Sequence, residues 1–163
     1  MPDRSYWLVK SEPDSFSYHD LERAPEQTTC WNGVRNYQAR NTMRDGMRRG
    51  DLVLFYHSNA EPPGVAGICR VVREAYPDHT AFDPNDEYHD PKSDASNPTW
   101  LMVDVQAVAP AKRFVSLDDL RAMPELEGLE LLRRGSRLSV IPVSAPHFEA
   151  ICTAARIPKS ALR

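Results

Sequence analysis

Gly50-Asp-Leu-Val-Leu-Phe-Tyr-His-Ser-Asn59 holds the longest apolar run of the chain, from Leu52 to Tyr56. The run is far short of the roughly 20 residues that span a bilayer, and its length and content fit a strand. The polar residues His57, Ser58 and Asn59 close it. Asn59-Ala-Glu-Pro-Pro-Gly64 then turns the chain into a second strand-like run, Val65 to Tyr76. Outward from this pair, Tyr6-Trp-Leu-Val-Lys10 reads as a first strand, and Trp100–Val105 and Arg137–Val143 as later ones. Helices are expected where a capping side chain precedes an apolar spacing. Ser17 opens one through Leu21, Asn36 one to about Arg49 with Gly50 just past its end, and Ser116 one to Met123. A short helix after Pro124 stops at Gly135. In the last, capped by Ser144, Phe148, Ile151, Cys152 and Ala155 recur at helical spacing. Five or six strands that do not alternate with helices as βαβ units disfavour a parallel sheet. The expectation is an α+β fold, a small mixed β-barrel of about six strands flanked by helices.

A chain of 163 residues is about one domain, read here as spanning 1–163. With 41% hydrophobic and 26% charged residues, wholesale disorder is excluded. Cys30, Cys69 and Cys152 lie far apart with no CxxC spacing, which argues against a disulfide framework or a structural zinc site. Met1 to Lys10 lacks the long apolar stretch of a secretory signal. No membrane partner, cofactor or obligate metal is expected.

The formal net charge of −3 hides an uneven distribution. From Trp31 to Gly50 five arginines stand against the single acid Asp45. From Asp78 to Asp94 six carboxylates stand against Lys92. The proline-punctuated segment from Pro77 to Pro98 reads as a long irregular loop, and such loops tend to be functional when ordered. Its histidines, His79 and His89, lie among carboxylates, but Asp83-Pro-Asn-Asp-Glu-Tyr88 fails the calcium-loop pattern at Glu87 and Tyr88.

Trp31-Asn-Gly-Val-Arg-Asn-Tyr-Gln-Ala-Arg-Asn41 carries the chemistry best suited to a ligand. Amides pair with base edges, guanidinium groups with phosphate, and aromatic faces stack on bases. A helix with a solvated basic face and a core tryptophan is the plain alternative. Tyr56-His-Ser-Asn59 places polar residues at a strand end, where pockets form. His57 and Ser58 are a conceivable base and nucleophile, but neighbours on a strand point to opposite faces, and no GxSxG elbow is present. A polar binding rim is the better reading.

Together these segments resemble the EVE domain, a PUA-like family. The resemblance is carried by Tyr6-Trp-Leu-Val-Lys-Ser-Glu-Pro13, Trp31 to Asn41, Gly50 to Asn59, Pro63-Gly-Val-Ala-Gly67, Glu74-Ala-Tyr-Pro-Asp78, Tyr88-His-Asp-Pro-Lys-Ser93, Asn97-Pro-Thr-Trp100 and Arg137-Leu-Ser-Val140, in one order over nearly the whole chain. It implies a barrel with flanking helices and a relation to YTH domains, which hold methylated adenine of RNA in an aromatic cage. It implies a non-enzymatic module that binds nucleic acid through one modified base, 5-methylcytosine- or 5-hydroxymethylcytosine-like in DNA or a modified base in RNA. The expected base pocket comprises Lys10, Ser11, Trp31, Val34, Asn36, Tyr37, His57, Ser58, Asn59, Arg137, Leu138 and Ser139, with Arg35, Arg40 and Arg44 on flanking phosphates. The alternatives are a small-nucleotide or protein-binding module and, further off, a hydrolase using His57 and Ser58. Unlike nuclear members of the family, the sequence has no basic extension before its first strand, so a bacterial-type cytoplasmic protein is expected.

Overall fold

The computed structural model describes residues 4–162; residues 1–3 and 163, the ends of the expected domain, lie outside it. Six strands form one mixed sheet: β1 (Tyr6–Ser11), β2 (Thr28–Cys30), β3 (Leu52–His57), β4 (Gly64–Pro77), β5 (Leu101–Ser116) and β6 (Val140–Val143), in the order β2-β5-β4-β3-β1-β6. Four helices accompany them: α1 (Tyr18–Arg23), α2 (Tyr37–Asp45), α3 (Leu117–Arg121) and α4 (Ala145–Ala154). The class is α+β.

The apolar run that decides the fold is continuous because β3 is covered on both faces. Leu52, Leu54 and Tyr56 enter one core with Leu120 of α3 and Phe148, Ile151 and Cys152 of α4. Val53 and Phe55, alternating with them, enter a second core with Tyr18 and Leu21 of α1 and Ala39 and Met43 of α2. Met43, on α2, and Met47, just past its end, are both fully buried there. Asp51 fixes where β3 begins. Its buried carboxylate accepts from Trp7 Nε1 at 2.9 Å, Arg48 N at 2.9 Å and Ser5 N at 3.1 Å.

The four predicted caps are all made. Ser17 and Ser116 form capping boxes with Asp20 and Asp119, while Asn36 and Ser144 each accept one helix N–H. Several expectations are corrected. The closed barrel is not seen, because the ladder runs openly from β2 to β6, with α2 packed against both β5 and β6. The sheet is mixed, as expected, through one parallel pair: β1 lies along β3, from Tyr6 beside Leu52 to Ser11 beside His57. Helix α2 ends at Asp45, not near Arg49, with Gly46 as its C-cap, where a Cβ would lie 2.7 Å from the Trp7 ring. The segment after Pro124 forms only short 3-10 turns. Strand β5 continues eleven residues past Val105 to Ser116, through register shifts against β4 that bend it.

Candidate functional site

The ends of β1, β2 and β3 and the turn before α2 converge on a cleft of about 680 Å³, within the usual range for ligand sites. Lys10 and Ser11 reach it from β1 and Ser58 from just beyond β3. Trp31, Val34 and Arg35 come from the turn, and Ser139 from the residue before β6. The backbone knits these ends together: Ser58 N donates to Ser11 O at 2.9 Å, and Lys10 N to Ser139 O at 3.1 Å. Ser11 Oγ donates to Phe16 O at 2.6 Å, which leaves its lone pairs as acceptors.

The three indoles differ in a telling way. Trp7 Nε1 donates to Asp51, and Trp100 Nε1 donates to Asp90 at 2.7 Å. Among the described residues Trp31 Nε1 has no partner, yet it is not sealed from solvent. Trp31 as a whole is largely enclosed: 8% of the residue is exposed, and Phe55 meets its ring edge-on at 5.3 Å and 88°. Trp31 therefore borders the cleft and carries an unpaired N–H donor.

The other expected pocket residues do not line the cleft. Asn36 Oδ1 caps α2 through Ala39 N at 2.9 Å. Tyr37 is 61% exposed on the outside, 4.9 Å from the Trp100 ring. His57 Nε2 accepts from Tyr18 N at 3.1 Å; burial lowers its pKa, with Asp20 opposing. It is a neutral acceptor that joins β3 to α1. Asn59, at φ 50°, donates to Glu12 Oε1 at 2.6 Å. Leu138 packs on the first core, and Arg137 is exposed.

The three arginines expected on phosphate are all engaged within the chain. Arg35 Nη1 pairs with Asp78 Oδ2 at 3.0 Å, and its Nη2 and Nε donate to Tyr88 O at 2.5 and 3.1 Å. Arg40 donates to Asn41 Oδ1 and to Thr99 O at 2.9 Å and lies 5.0 Å over the Tyr37 ring. Arg44 makes two bonds to Asp45, at 2.8 and 3.0 Å.

The sequence reading missed the wall contributed by the acidic loop, Asn85 to Tyr88, and the lip residues Glu12 and Phe16. The Tyr88 ring lies against Gly33, where a Cβ would come within 2.7 to 2.8 Å of three ring atoms at φ +80°. That close approach is why glycine stands there. Burial, with Glu87, Asp86 and Glu12 nearby, raises the Tyr88 pKa, so its hydroxyl stays a donor at neutral pH. Burial likewise lowers the pKa of Lys10, against the pull of Glu130. Cys30, on the cleft wall, is pushed up by burial and by Asp104, which disfavours a reactive thiolate.

The EVE domain family matches residues 5–154. The chain belongs to the EVE family. Thymocyte nuclear protein 1 of Rattus norvegicus is 47% identical over 164 residues, covering 90% of this chain and 72% of the relative. A crystal structure of human THYN1 in complex with DNA containing 5-methylcytosine has a TM-score of 0.88 at 43% identity, over 94% of this chain and 99% of that one. A YTH domain of Zygosaccharomyces rouxii, in complex with N6-methyladenosine RNA, shares the fold at a TM-score of 0.54 and 11% identity, over 96% and 89% of the two chains. The expected cytoplasmic, bacterial-type setting is corrected by these relatives. Relatives 45–47% identical to this chain over the matched 164 residues carry the name of a nuclear protein in Rattus norvegicus and Homo sapiens.

Proposed function

We propose that this EVE domain reads a single modified base of a nucleic acid strand, held in the cleft above Trp31, without chemical turnover. The observation that carries the reading is the unpaired indole N–H of Trp31, a residue that lines the cleft of about 680 Å³. The other two indoles satisfy theirs on carboxylates. A donor left unpaired in a residue of the cleft wall, with Ser11, Ser58 and Lys10 lining the same hollow, suits the mixed polar edge of a heterocycle. The relative crystallised with 5-methylcytosine DNA supports cytosine modified at its 5-position as the first base to test, with modified RNA bases beside it.

The register shifts along β4 and β5 coil the sheet, which supports reading it as an opened barrel with the cleft at its mouth. Binding without catalysis is favoured by the state of the reactive groups. His57 uses its Nε2 to accept Tyr18 N–H, and the Cys30 thiol is held protonated. For phosphate, Arg44 is the most available of the three expected arginines. It is about half exposed, and its surface pair with Asp45 is screened by solvent and easily exchanged.

The test is a titration of the protein with short oligonucleotides carrying 5-methylcytosine, 5-hydroxymethylcytosine, N6-methyladenine or no modification, at two salt concentrations. The reading predicts preference for one modified base and weaker binding as salt rises. Equal affinity across the panel contradicts it.

A further inference from the structure

We infer that Tyr88 supplies the stacking wall of the cleft, and that Arg35, through its pair with Asp78, is the positioning residue that sets this wall rather than a phosphate ligand. The inference rests on the base-reader function proposed above and assigns the surface on which the base lies. Stacking needs a ring face, and Trp31 is too enclosed to offer one, with Phe55 against it and 8% exposure. Tyr88 is the other aromatic side chain opening on the cleft beside the partly buried Phe16, and it is half-buried. One side of its ring rests on Gly33. Its hydroxyl has no hydrogen-bond partner among the described residues and remains open to solvent.

The loop that carries Tyr88 is tied to the Trp31 turn by a closed set of bonds. Gly33 N donates to Asp78 Oδ2 at 2.9 Å, Arg35 Nη1 to the same oxygen at 3.0 Å, and Arg35 Nη2 to Tyr88 O at 2.5 Å. The guanidinium also lies 5.9 Å from the Tyr88 ring centre and 5.5 Å from that of Trp100. Asp78 is fully buried and holds its other oxygen on Thr80 N–H at 2.9 Å and on the Thr80 hydroxyl. A guanidinium so committed has a charge already neutralised by a buried carboxylate, so it adds little attraction for phosphate. What it does is fix the distance between the floor and the wall.

The experiment is fluorescence anisotropy of a labelled oligonucleotide with one 5-methylcytosine, and of its unmodified twin, measured over a salt series with wild type, Tyr88→Phe, Tyr88→Ala and Arg35→Gln. Folding of each variant is checked by its thermal melt. Tyr88→Phe keeps the ring and should bind within about threefold of wild type, the cost of one hydroxyl bond. Tyr88→Ala should lose about tenfold or more and most of the discrimination, as expected for a lost base–aromatic stack. Arg35→Gln should weaken binding and discrimination together while leaving the slope of log affinity against log salt unchanged. A phosphate ligand would instead reduce that slope by about one.

Wild-type affinity in Tyr88→Ala, or a slope reduced by about one in Arg35→Gln with discrimination intact, overturns the inference while the reader function stands. Wild-type protein that grips both oligonucleotides alike defeats the reader function itself, and this inference with it.

Discussion

Replacing Asp78 by Asn tests the tie between the acidic loop and the Trp31 turn without touching the cleft. The native carboxylate accepts four hydrogen bonds, from Gly33 N, Arg35 Nη1, Thr80 N and Thr80 Oγ1. Whichever way an asparagine amide is turned, its NH₂ faces two of these donors. If it faces Gly33 and Arg35, one neutral and one charge-assisted bond are lost, worth about 0.5–1.5 and about 1.5–3 kcal/mol. The sum is about 2–4.5 kcal/mol, a large share of the roughly 5–15 kcal/mol that holds a domain of this kind together. For a chain of this size it lowers Tm by about 4–18 °C.

The effect has a pH signature. Burial pushes the Asp78 carboxyl up, but bonds from Thr80, Gly33 and Arg35 outweigh it and hold the group below its ordinary 3.8. The wild-type advantage over Asp78→Asn is therefore present above about pH 3.8 and fades as pH falls through the lower folded value. Paired thermal melts from pH 7 to pH 3 read both quantities, and amide exchange over residues 79–94 reads the loosened loop. A variant within about 0.5 kcal/mol of wild type at pH 7, with that loop still protected, refutes the reasoning.

Trp31→Phe keeps a ring but removes the open donor, so binding of the preferred base should fall about three- to tenfold by calorimetric titration, with the fold retained. His57→Gln keeps an acceptor for Tyr18 N–H and removes a group whose pKa burial lowers below 6.5. Wild type should lose stability as pH falls below about 6.5, and the Gln variant should lack that loss in paired melts. Gly46→Ala would set a Cβ 2.7 Å from the Trp7 ring and should cost about 1–3 kcal/mol in urea unfolding, with binding at the distant cleft unchanged.

What was legible in the sequence is what local chemistry encodes. Ser17, Asn36, Ser116 and Ser144 each cap the helix expected of them, because a short polar side chain before an apolar spacing has one common use. The run Leu52 to Tyr56 is a strand because little else accommodates six consecutive buried residues from Asp51 onward. Strand β2 was invisible, since Thr28–Cys30 is three residues long and exists only through its pairing with β5. The second half of β5 was hidden by Pro110 and small residues, which the register shifts against β4 accommodate.

The site divides in the same way. Lys10, Ser11, Trp31 and Ser58 sit at strand and turn ends that the pattern marks, and they converge. Tyr88 lies in a loop whose acidic composition does not say which of its side chains turns inward, and its contact with Gly33 joins segments more than fifty residues apart in the chain. The arginines of the 31–50 segment counted as free charge in the sequence. The partners of Arg35 and Arg40, Asp78, Tyr88 O and Thr99 O, lie more than forty residues away along the chain and could not be counted with them.

The most direct measurement is a ¹H–¹⁵N spectrum of the indole N–H groups during titration with the preferred modified oligonucleotide. The Trp31 resonance should move strongly to saturation while those of Trp7 and Trp100, already bonded to Asp51 and Asp90, stay nearly still. Saturable binding that leaves Trp31 unmoved would contradict the cleft as the seat of the base.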